Sequence, residues 1–515
     1  LKSEKSSEKK INIIGAGISG LAAGCYLQMN GFETEIFESH STPGGLCTSW
    51  RKGEYIFDGC LHWLLGSGAG SPFNKMWSEL IDLKKIEFVN HELRADIELV
   101  ENRDKYGDSF FHLYTNINKL ENYLVDISPE DESTIKKLTT LMRNLQKYEV
   151  PPVIDDLPFF KGLKQKSGLI KLLPFLFLIL KWKNVTNHSF ANKLKSPFLK
   201  EAFKHFFDGK NLPLIVIFFP LAFFDKKGAG YPVGGSLNFA RIFEEKYLKL
   251  GGKINYKSPV KEIITENDEA RGLVLSNGDK KYSDITISSA DWHFTVFKAL
   301  GGKYVNKKLV KLDNLQINEL FYSVVQLSFG LNRTFEDFPH FFRFLIEKPL
   351  ISPDGTTYNR VEIHNYKYDP TLAPKGKTVV CISFSTNNGE FWIKLREENF
   401  SKYNEAKKEF MNTVVDLVEK KIAGFKTNIE ESDIATPATH FRFTNNRSGS
   451  TQGWMSGKNL MTPSPVGNKL PKLKNFYFTG HWTNPGGGLP IAIKSSRDVA
   501  QIICKKSKKR FKTTV

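Results

Sequence analysis

Gly15-Ala16-Gly17-Ile18-Ser19-Gly20 follows a short apolar run, Ile11 to Ile14, and opens a stretch, Ser19 to Asn30, with small and apolar residues at helical spacing. Few folds accommodate that order. The apolar run suits a buried parallel strand, Gly31 supplies a helix stop, and Thr34 to Glu38 reads as a second strand. In such a strand–helix–strand unit the glycines permit a tight turn, close approach of backbone to a diphosphate, and close packing of helix on strand. The helix N-terminus then offers unpaired N–H groups and a positive dipole end to the phosphates. Glu38 lies 18 residues beyond Gly20, where a carboxylate can accept from ribose hydroxyls. A glycine-rich structural turn is the alternative for the six residues alone; strand, helix and acid together point to dinucleotide binding.

The segments that follow bear on which nucleotide. Pro43-Gly44-Gly45 comes within a few residues of Glu38 and resembles the extended fingerprint of the FAD-dependent amine oxidase and phytoene desaturase superfamily, with Leu46 where many members have arginine. Phe57-Asp58-Gly59-Cys60-Leu61-His62-Trp63 is similar to the family segment that runs past the flavin ring. Phe478 to Pro490, which includes Gly480-His481-Trp482 and Gly486-Gly487-Gly488, resembles the block that closes the flavin site, and Ser258-Pro259-Val260 the strand whose backbone touches the adenine. Thr444 to Ser450, with Gly453-Trp454, resembles a further segment of the phytoene desaturase/retinol saturase-like group. Members of that group desaturate, saturate or isomerise carbon–carbon bonds of long isoprenoid or polyene substrates.

The resemblance implies FAD, held by Gly15, Ala16, Gly17, Ser19, Gly20, Glu38, Ser39, Gly44, Gly45, Leu46, Val260, Gly480, Leu489 and Ile491, with no metal, and a lipophilic small-molecule substrate. It implies an α/β fold: a Rossmann-like FAD-binding domain assembled from 1–110, 220–300 and 460–515, and a discontinuous α+β substrate domain, a mixed sheet covered by helices, from 111–219 and 301–459. Independently of the family, a strand that delivers Gly480 brings backbone to the cofactor with no side chain in the way. A helix beginning near Pro490 aims its N-terminus at the cleft, where it can stabilise negative charge.

His62 is the first candidate for a proton donor or acceptor, against a packed histidine holding the Trp63 loop; His481 and Arg447 are further candidates. Cys47 and Cys60 read as small buried hydrophobes rather than redox groups. Two rivals stay open. An amine oxidase acting on a polar amine is disfavoured by the greasy middle of the chain. A flavin-free carrier of the Rab GDP-dissociation-inhibitor kind, binding prenyl groups, is disfavoured by the intact Gly20, Glu38 and Gly44-Gly45.

Other expectations come from composition and pattern. The five cysteines are odd in number and form no CxxC pair, which suits a reducing, cytoplasmic setting. The net charge of +18 comes with no nucleic-acid module, so nucleic acid is not expected and an anionic membrane surface is the candidate partner. Leu1 to Lys10 lacks the apolar stretch of a signal peptide. Leu172 to Leu180 and Leu212 to Phe224 contain proline and fall short of the roughly 20 residues that cross a bilayer. Phe159 to Lys183, dense in Phe, Leu and Lys, is either a core helix with lysine stems along its margin or an interfacial element that admits a lipophilic substrate. Lys505 to Lys512 reads as a solvated basic tail, with attraction to anionic lipid as its functional option.

Overall fold

The computed structural model describes residues 9–70, 72–103, 108–147, 174–175, 177–205, 211–316, 318–455, 466–484 and 487–513. The lead-in before Lys9, the break from Pro151 to Pro158, most of Phe159 to Lys183, and Pro485-Gly486 lie outside the described residues.

The strand Lys10–Ile14, the helix Ile18–Met29 and the strand Glu33–Phe37 form within a residue or two of where the pattern places them. They belong to a parallel sheet whose strand order is Phe476–Phe478, Ile285–Ser288, Lys10–Ile14, Glu33–Phe37, Lys253–Asn255. Ile285–Ser288 is buried throughout and Lys10–Ile14 nearly so, as expected of strands covered on both faces. The chain leaves Lys10–Ile14 to one side for Glu33–Phe37 and returns on its other side with Ile285–Ser288. Such a reversal leaves a crevice beyond the carboxyl end of the central strand, the place where open α/β sheets take ligands.

The first helix packs against Gly235–Lys249 and the closing helix Gly488–Lys506. Its Ser19 hydroxyl lies 3.0 Å from Thr479 Oγ1 and 3.0 Å from Ser496 Oγ, and Ser496 Oγ donates to Ser19 O at 2.8 Å. These hydroxyls are buried and mutually satisfied, so they fix the two ends of the chain in one register.

The second layer is a seven-stranded sheet in the order Ile429–Ala435, Ser323–Leu331, Thr378–Thr386, Thr357–Asn365, Phe341–Ile351, Leu93–Arg103, Asp108–Tyr114. Its pairings are antiparallel except where Phe341–Ile351 meets Leu93–Arg103. Leu93–Arg103 falls inside the 1–110 segment expected in the dinucleotide half, and here it joins the other sheet. Ala95, Ile97 and Leu99, at period-two spacing, bury their side chains in the core shared with Leu138, Leu141 and Phe218, which explains the difference. The expected junction at 220 falls inside the helix Leu214–Phe224, which continues through Pro220 and packs on Glu132–Leu145.

The basic run after the closing helix keeps its lysines exposed, as a solvated tail would, but it is anchored to the first helix. Lys509 Nζ donates to Asn30 O at 3.1 Å and Gly31 O at 2.5 Å, at the C-terminus of the first helix. The Asn30 side chain accepts from Lys512 N at 2.8 Å and donates to Lys512 O at 2.9 Å. Phe511 packs on Tyr26 at 5.8 Å, with the Arg497 guanidinium 5.2 Å from its ring. A cation there satisfies free carbonyls and complements the helix dipole, and the half-buried ring of Phe511 adds apolar contact. Deleting 509–515 is therefore expected to lower stability by about 1–3 kcal/mol, read as a lower urea midpoint; an unchanged midpoint means that the docking contributes nothing.

Candidate functional site: a dinucleotide cleft opening into an apolar channel

Two glycines of the first turn are required by the protein itself. Gly15 has φ +93°, a conformation that side chains resist, and a Cβ on Gly20 would lie 2.0 Å from Gly15 O. Gly17 differs. Its φ is −64°, and a Cβ there would meet nothing closer than Gly44 O at 3.9 Å. Neither backbone nor packing demands a glycine at 17, so the missing side chain leaves room for something outside the protein.

Gly44 N donates to Ala16 O at 2.9 Å, which lays the second glycine loop on the first. Gly44 has φ +109°, and a Cβ there would fall 2.2 Å from Cys47 O. Glu38 is buried at the rim: Oε2 accepts from Ala16 N at 2.7 Å, and Oε1 from His40 N at 2.9 Å and Ser39 Oγ at 3.1 Å. A carboxylate has about four acceptor positions, so capacity remains for a ribose hydroxyl. From the other end of the chain, Gly480 leaves its strand with φ +107°, and the closing helix begins after Gly487 with no side chain capping it. The first helix likewise has no side-chain cap at Gly17. Two helix N-termini therefore open, with their free N–H groups, into the same space.

That space is a cavity of about 1760 Å³. Gly15, Gly17, Ser19, Glu38, Ser39, Gly44, Gly45, Leu46, Val260, Gly480, Leu489 and Ile491 all line it. Ala16 and Gly20 sit behind its wall, the first supplying the Glu38 hydrogen bond and the second the helix–strand contact. The cavity continues past the dinucleotide cleft along the helix Leu214–Phe224, where Ile215, Val216, Phe219 and Phe224 face it. This helix is apolar all round because one side packs on the Leu138–Leu141 core and another lines the cavity. Phe175, Ile179 and Leu180 line the same end.

His62 stands where cleft and channel meet. Asp58 fixes its loop by accepting from Cys60 N at 2.9 Å, Leu61 N at 3.2 Å and Ser236 Oγ at 2.6 Å. Burial pushes the Asp58 pKa up, against the pull of those bonds. His62 Nδ1 shares a hydrogen bond with the Tyr366 hydroxyl at 3.0 Å, and the imidazole stacks on His364 at 4.1 Å. Burial, with the Arg94 charge, holds the His62 pKa well below its ordinary value, so the ring is neutral near pH 7. A neutral imidazole can accept a proton or orient a donor; it is not a store of a labile one.

His481 also lines the cavity, packed so tightly that a Cβ on Gly453 would lie 2.9 Å from its Cδ2. Burial brings its pKa down to about 4, and its Nε2 is buried with no hydrogen-bond partner among the described residues. Arg447 is placed elsewhere. Its guanidinium donates to Asp313 Oδ1 and Asp313 O, both at 2.7 Å, outside the cavity lining. Cys47 is buried, its thiol donating to Ser236 O at 3.4 Å; a hydrogen bond with Cys60, then burial, raises its pKa well above the usual thiol value. It therefore stays protonated.

Arg94, Arg343, Glu362, His364 and Tyr366 form a polar group beside His62 that no local pattern announces. Arg343 and Glu362 face each other across strands, with Arg343 Nε donating to Glu362 Oε2 at 2.6 Å, and Phe341 faces His364 in the same register. Strand pairing, which periodicity alone does not specify, is what assembles them.

Residues 13–80 match a family described as NAD(P)-binding Rossmann-like domain. Along 98% of its length the chain is 24% identical to the 4,4'-diapophytoene desaturase (4,4'-diapolycopene-forming) of a Methylomonas species, covering 97% of that protein. It is 22% identical to the phytoene desaturase (lycopene-forming) of a Paracoccus species, over 98% of this chain and 99% of the relative. It is also 22% identical to prolycopene isomerase 2 of an Oncidium hybrid, over 96% and 83%. Among solved structures, an oxidoreductase from Methanosarcina mazei superposes with TM-score 0.58 at 17% identity, over 96% of this chain and all of that one. Cyclohexylamine oxidase from Brevibacterium oxydans superposes with TM-score 0.54 at 12%, over 98% of this chain and all of that one. The resemblance to the phytoene desaturase group carried by the flavin segments thus extends along nearly the whole chain, on an α/β, Rossmann-like fold. A flavin or dinucleotide cofactor is implied.

Two substitutions separate the roles of the glycines. Gly17→Ala is expected to fold with an unchanged unfolding midpoint and to lose nucleotide affinity at least tenfold, whereas Gly20→Ala loses stability, by about 1–3 kcal/mol or more. Equal losses of stability in both variants contradict the distinction. The histidines give a second expectation. His62, His481 and His440 have lowered pKa values, burial being the first cause in each, so their neutral forms belong to the fold. Stability should be fully present above the ordinary value of 6.5 and fall as the pH drops from there toward about 4. His481→Asn should flatten that fall, and a wild-type profile level between pH 7 and 4.5 refutes it.

Proposed function

We propose that this chain is an FAD-dependent oxidoreductase acting on carbon–carbon bonds of a lipophilic isoprenoid or polyene. The observation that carries the proposal is the continuity of one cavity from the diphosphate turn at Gly17 to the apolar wall at Phe219 and Phe224. A cofactor and a long apolar molecule can share it, since ligand pockets for a single small molecule measure about 300–1,000 Å³.

The residues present fit FAD. Gly17 leaves space for the diphosphate, the first helix offers its free amides, and Glu38 retains acceptor capacity for the ribose. Ser39, Gly44, Gly45, Leu46 and Val260 line the same cavity and would flank the nucleotide, as would Gly480, Leu489 and Ile491 from the C-terminal half. Bound there, FAD supplies hydride acceptance or delivery. The chain supplies the rest: the closing helix directs a positive dipole end into the cleft, the apolar wall at Ile215, Val216 and Phe219 would take the hydrocarbon, and neutral His62, held by Tyr366, is the group next to the channel that can relay a proton.

A polar amine is a poor fit to the wall formed by Ile215, Val216 and Phe219. Entry from a membrane surface is part of the proposal. Phe177 and Leu180 are 70% and 55% exposed beside the channel-lining Ile179, on a chain of charge +18. No helix among the described residues is long and apolar enough to cross a membrane.

The test is spectroscopic. Purified protein should be yellow and release FAD on denaturation. Without oxygen, phytoene in liposomes should bleach the flavin band, or lycopene should restore it after chemical reduction, or a cis-polyene should isomerise. A colourless protein that takes up no FAD, or a flavin bleached by amines and by no polyene, overturns the proposal.

A further inference from the structure

Arg94 is a half-buried cation with no hydrogen-bond partner among the described residues; the Glu362 charge favours it, but without a bond. Its guanidinium lines the cavity and rests on ring faces, 5.0 Å from the centroid of Phe341 and 5.7 Å from that of Phe224. No carboxylate, carbonyl or hydroxyl of the described residues accepts a hydrogen bond from it. The nearby acid, Glu362, is committed elsewhere: it accepts from Arg343 Nε at 2.6 Å and bonds His364 Nε2 at 3.2 Å.

The charges around this end of the cavity do not cancel. Arg94 and Arg343 are cationic, Glu362 is anionic, and His62 and His364 are held neutral by burial, which leaves one positive charge. A partly desolvated guanidinium with no hydrogen-bond partner gains from an anion that joins it. Its planar fork matches a carboxylate with two parallel hydrogen bonds. Phe224, one of the rings against which it rests, is the last residue of the channel helix, so an anion at Arg94 sits at the end of the apolar wall.

We infer that the lipophilic substrate carries a carboxylate at one end, bound by Arg94, with its hydrocarbon body along Ile215, Val216 and Phe219. The inference rests on the proposed lipophilic substrate and narrows it: a plain hydrocarbon would leave Arg94 unanswered. It also assigns the guanidinium to substrate, since Arg94 comes from the second sheet and its ring partners from that sheet and the channel helix, none of them from the glycine loops of the cleft.

The experiment uses the flavin-loaded protein and two probes of one skeleton, all-trans-retinoate and all-trans-retinol, titrated by quenching of flavin or tryptophan fluorescence. Retinoate should bind at least tenfold more tightly than retinol. Arg94→Met, which keeps the stem and removes the charge, should erase that difference while leaving retinol affinity and FAD content as they were; Arg94→Lys should retain part of it. FAD content and the unfolding midpoint report whether each variant is folded. Equal binding of the two probes to the wild type overturns the carboxylate inference and leaves the lipophilic-substrate proposal standing. Failure of both probes to bind overturns both. Loss of FAD from a folded Arg94→Met protein assigns the guanidinium to the cofactor and overturns the inference as well.

Discussion

The Ser19 hydroxyl joins parts of the chain 460 and 477 residues apart, through Thr479 and Ser496. Ser19 lies in the first turn of the helix that the Gly15–Gly20 turn opens, and Thr479 and Ser496 flank the loop that begins at Gly480. The contact is possible because Gly20 has no Cβ to hold the first helix off Gly15 O. Once it forms, the N-termini of two helices, one from each end of the sequence, point into one cleft. Neither terminus alone encloses a dinucleotide. The same region is fastened again at the far end of the first helix, where Lys509 and Lys512 fold back on Asn30.

A second set of bonds sets the cleft against the channel. Asp58 takes hydrogen bonds from its own loop and from Ser236 at the start of the helix Gly235–Lys249, while its backbone oxygen accepts from Gln326 Nε2 at 2.7 Å, on the seven-stranded sheet. The loop that carries His62 is therefore tied to both layers. Tyr366 and His364 then fix the imidazole from the sheet side. Dinucleotide cleft, histidine and apolar wall are consequently parts of one cavity, and the charge at Arg94 lies beside that histidine.

Much of this was legible in the sequence where the signal is local. The first strand, helix and second strand follow from a few adjacent residues, and Gly15, Gly17, Glu38, Gly44, Gly45 and Gly480, singled out on local grounds, lie on the lining of one cavity. The strands Ser323–Leu331, Thr357–Asn365 and Thr378–Thr386 carry the β-branched and aromatic residues that favour a sheet. What escaped depends on contacts between distant residues. Leu93–Arg103 has ordinary strand alternation, but nothing in its own residues says which sheet it joins; the buried core under Ala95 and Ile97 decides that. Arg94, Arg343 and Glu362 look like solvated charges until strand register brings them together. Arg447 reads as a site candidate, yet its guanidinium bonds Asp313, and the exposed C-terminal lysines give no sign of the Phe511–Tyr26 contact that anchors their segment.

A crystal structure of the FAD-loaded protein tests the central claim most directly. Density should run from a ribose against Glu38, under Gly17, to a ring system between Gly480 and His62, with the ring face open to the channel of Phe219. A nucleotide bound away from the glycine turn, or a channel sealed from the ring by protein side chains, contradicts the account.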